Sequence, residues 1–340
     1  MRVAKLYTAD DIRVEETPIP EPGPGEALVR TRACGICTGD IMGWYMQRKA
    51  PLVFGHEPTG DVVRVGAGVA AVREGDRVFA HHHAPCGTCR MCRRGEYVHC
   101  KTWRKTNLAP GGMSEYFVVP APNVAADTLR LPDGLAYESG TLVEPLACVV
   151  KSLRRGGVRA GDTVVVIGAG IMGQLHVVLA ACEGARVIVA DRVPFRLGRA
   201  RELGAEHAID VDRTNLTEAV AEVTGGAMAD VVVVGPGSIE AMEAGLACAG
   251  PASRVVMFTT STPEAIWPVR PFRLYFDEVS IVPSYSCGPD DTRRALELLD
   301  RGEIPAEKLI THRFKLDQVG SAMKAAANVN EALKTVVVFD

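Results

Sequence analysis

The chain has 340 residues, 47% of them hydrophobic and 23% charged, with a formal net charge of −3. That balance gives no electrostatic case for a nucleic-acid or membrane-surface partner, and no run reaches the roughly 18 apolar residues of a membrane-spanning helix. The length predicts about two domains, each able to bury its own core.

The first stretch, MRVAKLYTADDIRVEE, mixes charges early and lacks the apolar region of a signal peptide, so a cytoplasmic protein is expected. In that compartment the ten cysteines are not expected to form structural disulfides. Up to about residue 150 come short β-rich runs cut by Gly and Pro: EALVRTRA, GDVVRVG, GDRVFAHH and SEYFVVP. They predict a compact, mostly β domain. Beyond it, apolar strands alternate with helical patterns. TVVVIG (163–168) precedes IMGQLHVVLAACEG, RVIVAD (186–191) precedes FRLGRARELG, and DVVVVG (230–235) precedes SIEAMEAGLACAG. SRVVMF (253–258) and EVSIVPS (278–284) follow as further strands. This alternation predicts a parallel sheet covered on both faces, and hence an α/β chain overall. From Pro289 the pattern changes: DDTRRALELLDRGEI reads as an amphipathic helix, and HRFKL and LKTVVVF as strands flanking a helical QVGSAMKAAANV. This last stretch is expected to return to the first domain.

VVVIGAGIMG supplies Gly168, Gly170 and Gly173 as G-x-G-x-x-G, after a strand and at the opening of a helix. In that context the pattern predicts a dinucleotide site, with the pyrophosphate at the N–H groups around Ile171 and Met172. Asp191 ends the next strand, where a carboxylate accepts from the adenosine ribose hydroxyls and repels a 2′-phosphate. NAD is therefore expected over NADP, with the neighbouring Arg192 softening the preference.

Cys86, Cys89, Cys92 and Cys100 form C-x2-C-x2-C-x7-C. Four thiolates on one short lobe suit a closed, tetrahedral structural zinc, and Arg90, Arg93 and Arg94 offset its charge. An iron–sulfur cluster competes on ligand type. A catalytic zinc needs about three protein ligands and one open position. Donors outside the lobe are Cys37, paired with Cys34, then His56 and Glu57 in VFGHEPTG, and Glu144 in TLVEPLAC. His81, His82 and His83 look like a further metal site, but alternate strand residues face opposite sides, so packing is expected there. Trp44, Tyr45 and Trp103 are candidate pocket walls or core packing.

The motifs GIC-x-x-D (35–40), GHE (55–57), the four-cysteine lobe, GGMSEYFVVP (111–120), VEPL (143–146), GAGIMG and LITHRF (309–314) occur in one order along the chain. In this the sequence resembles the zinc-dependent medium-chain dehydrogenases, in the alcohol, sorbitol and threonine dehydrogenase branch. The resemblance implies a GroES-like, mostly β catalytic domain (1–148 and 289–340, zinc lobe about 84–102) and a Rossmann NAD-binding domain (149–288). It implies that Cys37 and His56 bind the catalytic zinc, that Glu57 binds directly or swings in, and that Glu144 is the third ligand. Cys34 is then a packed thiol; a redox pair at 34–37 would leave GHE and VEPL unexplained. Arg196 matches the basic residue that contacts the adenosine ribose.

The activity implied is reversible oxidation of a secondary alcohol or polyol to the ketone by NAD, in a homodimer or homotetramer carrying two zinc ions per chain. L-threonine or a sugar phosphate is the alternative substrate. A zinc-stabilised nucleotide-binding redox sensor is the non-enzymatic alternative. The chain departs from the family's proton relay: Gly39 and Met42 stand where a Ser or Thr and a His are usual. Thr38, Glu57, or a water held by Glu144 are the expected stand-ins.

Overall fold

The computed structural model describes residues 1–8 and 11–340. They divide into two compact units, one of Met1–Ala147 with Cys287–Asp340 and one of Cys148–Ser286.

The second unit is built on a six-stranded sheet. Its spatial order is His207–Asp210, Arg186–Asp191, Thr163–Ile167, Ala229–Val234, Ala249–Met257 and Ser280–Pro283. Every neighbouring pair is parallel. Thr163–Ile167 is buried along its whole length, which requires an unbroken apolar run rather than an alternating one. Chain order reverses between Thr163–Ile167 and Ala229–Val234, and the crevice at such a reversal is where doubly wound sheets bind ligands. The edge strand His207–Asp210 was not expected. Its four residues, HAID, are mostly half-buried and too short to show a period.

Helices Ile171–Cys182, Pro194–Glu202, Leu216–Val223 and Ile239–Ala247 follow the strands. Ile171–Cys182 packs closely on its strand because Gly173 has no side chain; a Cβ there would overlap the carbonyl oxygen of Gly168. Gly168 itself has φ +90°, a left-handed turn that favours glycine.

The first unit holds a seven-stranded sheet. Its order is Ile310–Lys315, Lys334–Val338, Ala27–Gly35, Glu57–Val65, Arg77–Ala80 and Thr128–Arg130, with Tyr116–Val119 also paired to Ala27–Gly35. A smaller sheet joins Asp11–Glu16, Arg2–Thr8 and Leu52–Val53. The C-terminal chain does return: Val336, Val337 and Val338 pair with Gly35, Cys34 and Ala33. On its other side Gly35 lies opposite Glu57. Glu57, Gly35 and Lys334 are thus brought together by two registers of one strand.

Strand Arg77–Ala80 stops before the histidines. His81, His82 and His83 are therefore not on a strand, and the alternation that separated them in the sequence reading does not apply.

Gly173→Ala is expected to push the helix off its strand and lower unfolding free energy by about 1–3 kcal/mol, measured by urea denaturation. An unchanged midpoint would mean that the close approach is not needed.

Candidate active site and metal centres

Cys37 precedes a one-turn 3-10 helix, Thr38–Ile41. The Gly39 N–H donates to Cys37 Sγ at 3.3 Å, and the Cys37 N–H donates to Asp40 Oδ2 at 3.1 Å. The other Asp40 oxygen faces His56 Nδ1 at 3.6 Å. Asp40 therefore closes the capping box of the turn and faces the imidazole. A carboxylate on one ring nitrogen leaves the other for a metal.

Ligand atoms of Cys37, His56 and Glu57 lie within 4.8 Å of one another. Glu57 is fully buried. Its Oε2 pairs with Lys334 Nζ, which also donates to the Ile36 carbonyl at 3.0 Å. Gly35 makes room for this pair, since a Cβ there would overlap both Glu57 Oε2 and Lys334 Cε. Glu57 Oε1 is buried and has no hydrogen-bond partner. An orphaned carboxylate oxygen beside a thiol and an imidazole is a donor set that fits zinc.

Glu144 enters differently. Its carboxylate groups with His81 and His82, again within 4.8 Å, rather than with Cys37 and His56. It still acts on His56 electrostatically. Burial raises the carboxyl of Asp40, with His56 and the Cys37 N–H opposing it. Burial likewise raises Glu144. Burial works against a charged His56, yet Asp40 and Cys37 outweigh it and hold its pKa well above the ordinary value. Thiol and carboxylates therefore crowd one buried region, whose surplus negative charge a divalent cation would neutralise.

Lys334 was missed by the sequence reading. The only sign was a lysine opening an otherwise apolar strand, KTVVV. It is 1% exposed. Burial lowers its pKa, but Glu57 and Cys37 more than compensate, so it stays charged.

In the lobe, the sulfur atoms of Cys86, Cys89, Cys92 and Cys100 lie within 4.8 Å of one another. Sγ–Sγ separations are 3.5 Å for Cys89–Cys92 and 3.9 Å for Cys86–Cys92. A tetrahedron with Zn–S of about 2.3 Å has S–S edges of roughly 3.8 Å, so the spacing fits zinc. Backbone N–H groups of Cys86 and Cys89 donate to Cys100 Sγ and Cys86 Sγ, each at 3.4 Å. Trp103 is 2% exposed and packs with Cys92, Val98 and Cys100 in the lobe's core, so the structure gives it a packing position rather than a pocket wall. Trp44 is 37% exposed, as is Tyr45, whose hydroxyl accepts from Lys49. Thr38 is exposed on its turn.

In the second unit, Asp191 is heavily engaged: Oδ2 accepts from the Ala169 N–H at 2.6 Å, and Oδ1 from Arg192 and Val193 at 2.7 and 2.9 Å. It ties the glycine loop to the end of its strand. The space above Gly170 is bordered by the Arg196 guanidinium, about 3.7 Å from where a Cβ would stand. Burial lowers the Arg196 pKa, with Asp191 opposing, and its Nε has no hydrogen-bond partner. Arg192 points elsewhere, facing Asp212 at 3.9 Å with both side chains exposed. Gly168, Gly170, Ile171, Met172, Gly173, Asp191 and Arg196 thus converge on one loop and helix start, and Arg192 stands outside it.

Residues 23–133 match the alcohol dehydrogenase GroES-like domain, and residues 172–301 match the zinc-binding dehydrogenase domain. The sorbitol dehydrogenase of Bombyx mori is 33% identical over 98% of this chain and 97% of its own. The chain belongs to the zinc-binding alcohol dehydrogenase family. The L-threonine 3-dehydrogenase of Pyrococcus abyssi is 32% identical, covering 93% of this chain and 90% of its own. A crystal structure from Sinorhizobium meliloti 1021, described as a zinc-binding dehydrogenase and bound to NADP, superposes with a TM-score of 0.90 at 29% identity, covering 99% of both chains. As a member of this family the protein is a zinc-dependent, NAD(P)-linked alcohol or polyol oxidoreductase, with the GroES-like and Rossmann architecture expected from its motifs.

Two outcomes are expected. Hydrogen bonds from the Thr88 backbone and hydroxyl, and from the Cys89 N–H, lower the Cys86 pKa to about 6, so it is a thiolate above that pH. Burial instead drives Cys34 well above the ordinary thiol value. In metal-stripped protein at pH 7, mass spectrometry of iodoacetamide-labelled peptides should find Cys86 modified before Cys34, with Cys86 labelling falling away below about pH 6. Early labelling of Cys34 would contradict its burial. Separately, Lys334→Met leaves Glu57 charged and unpaired, and should cost about 3–5 kcal/mol of stability. Adding Glu57→Gln should recover most of it in a double-mutant cycle; additive losses would show that the pair is not coupled.

Proposed function

We propose that the protein oxidises a secondary alcohol or polyol to the ketone, reversibly, with NAD as hydride acceptor and two zinc ions per chain. The observation that carries this is the Cys37–His56–Glu57 donor group, with Glu144 beside it, in a chain of this family. Cys37 and His56 would hold the catalytic ion, and Cys86, Cys89, Cys92 and Cys100 the structural one. A bound zinc supplies Lewis acidity that lowers the pKa of a ligated alcohol. Asp40 orients His56. Lys334 holds Glu57 Oε2, so Oε1 is the oxygen that Glu57 would offer to the metal. Glu144 completes the set only by turning from His81 and His82.

Glu57 Oε2 is committed to Lys334, and Thr38 faces solvent. With Glu57 Oε1 offered to the metal, Glu144 is the carboxylate to accept the alcohol proton, directly or through a water. Asp191 and Arg196 border the adenosine end of the dinucleotide, and the Asp191 carboxylate favours NAD. The glutamate at 144 and the sorbitol dehydrogenase relative favour polyols; L-threonine is the second reading, favoured by the Pyrococcus relative.

A homodimer or homotetramer is proposed with this activity. Its support is the strand Ser280–Pro283 at the edge of its sheet, flanked in sequence by the exposed Phe272, Tyr275, Phe276 and Tyr285. A cytoplasmic location is proposed on the ten cysteines, which form no disulfide among the described residues. No helix among the described residues is long and apolar enough to cross a membrane.

NADH formation screened over polyols, secondary alcohols, sugars and L-threonine, beside zinc content, tests the activity. Turnover confined to L-threonine would replace the polyol reading. Glu144→Gln should lower kcat by about 10²-fold or more; an unchanged kcat would remove Glu144 from proton transfer. Asp191→Ala should shift the NAD-to-NADP ratio of kcat/KM toward NADP by about tenfold, worth about 1.4 kcal/mol. No shift would mean that Asp191 serves only the loop.

A further inference from the structure

His81 and Cys287 take no part in the dinucleotide, lobe or Cys37 sites, yet both are fully buried. His81 Nε2 lies 3.6 Å from Cys287 Sγ. Its Nδ1 faces Asp127 Oδ2 at 2.7 Å, and the other Asp127 oxygen accepts from the Thr292 hydroxyl. A ring nitrogen each from His81 and His82 and a carboxylate oxygen of Glu144 lie within 4.8 Å of one another. Glu144 is also within 4.8 Å of Cys287 Sγ. His82 Nδ1 is buried without a hydrogen-bond partner.

We propose that His81, His82, Glu144 and Cys287 form a further transition-metal site, distinct from the Cys37–His56 group, for a zinc-like divalent ion.

Three features carry this. First, with Zn–N near 2.05 Å and Zn–S near 2.3 Å at the tetrahedral angle, the N···S edge is about 3.6 Å, which matches His81–Cys287. Second, Asp127 fixes His81 with its proton on Nδ1 and its Nε2 lone pair toward Cys287, the carboxylate–histidine arrangement that supports metal-binding imidazoles. Third, two neutral imidazoles, one carboxylate and one thiolate balance a divalent charge inside a buried space. Imidazole and thiolate donors select zinc, cobalt or copper over magnesium or calcium.

The ion would join the chain just after strand Arg77–Ala80, the first turn of helix Val143–Gly156, and the residue preceding Gly288, the cap of helix Pro289–Asp300. It would thus fasten the start of the returning C-terminal segment. The half-buried His82 offers the way in. The site does not depend on which carboxylate completes the Cys37–His56 group, since two imidazoles and a thiolate remain if Glu144 turns away.

The test is metal content per chain after equilibration with excess Zn²⁺ and desalting, for the wild type, His82→Ala, Cys287→Ser and Cys37→Ser. Three zinc ions are expected in the wild type and two in each variant. With Co²⁺ in place of Zn²⁺, the wild type minus Cys287→Ser difference spectrum should show a thiolate-to-cobalt charge-transfer band. Two ions in the wild type, dropping to one in Cys37→Ser, would overturn the further site and leave the dehydrogenase reading standing. Three ions that persist in both His82→Ala and Cys287→Ser would also overturn it, as an adventitious surface ion. If the Cys37 site itself is absent, Cys37→Ser matches the wild type while His82→Ala still loses one. His82→Ala and Cys287→Ser remove different donors, so the zinc count of either one decides the matter if the other fails to fold.

Discussion

The buried pairing of Glu57 with Lys334 constrains the catalytic unit more than any other contact. Two opposite charges removed from water are tolerated only when well matched and hydrogen-bonded. Here the match is set by three strands: Gly35 sits between Glu57 on one neighbour and the strand of Lys334 on the other. The missing side chain at 35 is what lets the two charges meet. The same strand runs on into Ile36, whose carbonyl takes a further Lys334 proton, and then into Cys37. The position of the thiol, the carboxylate and the ammonium is therefore one geometric fact.

The parallel-sheet unit was legible because its strands are apolar on both faces and its helices carry their own period. TVVVIG, RVIVAD and DVVVVG correspond to Thr163–Ile167, Arg186–Asp191 and Ala229–Val234. His207–Asp210 escaped because an edge strand of four residues, three of them half-buried, has no such signature. The antiparallel pair of Arg2–Thr8 and Asp11–Glu16 escaped for a related reason: its second strand is largely polar, and its sheet is small.

The sites divide along the same line. Cysteine spacing and the glycine loop are local patterns, so Cys86 to Cys100 and Gly168 to Gly173 could be picked out before any fold was known. Lys334 is defined by a strand pairing nearly 300 residues away, which no local pattern reports. The histidine run shows the opposite error. A strand period was extended past Ala80, where the backbone has already left the sheet, so the convergence of His81 and His82 was argued away. Glu144 was marked for one cluster and lies in the neighbouring one, a matter of side-chain direction that sequence spacing does not encode.

The discontinuity of the catalytic unit has a consequence for the order of events during synthesis. Residues 148–286 form a contiguous unit whose contacts are available as soon as they have been translated. The other unit lacks Lys334 and its strand until the chain has been made through Val338, because the closing pairs join Ala33–Gly35 to Val336–Val338. Until then Glu57 faces a vacant edge, and the loop to be closed spans most of the polypeptide, an entropic demand that grows only slowly with length. Glu57 thus acquires its counter-charge only after residues 148–286 have been made, so the surroundings of this buried acid are completed later than the contiguous unit.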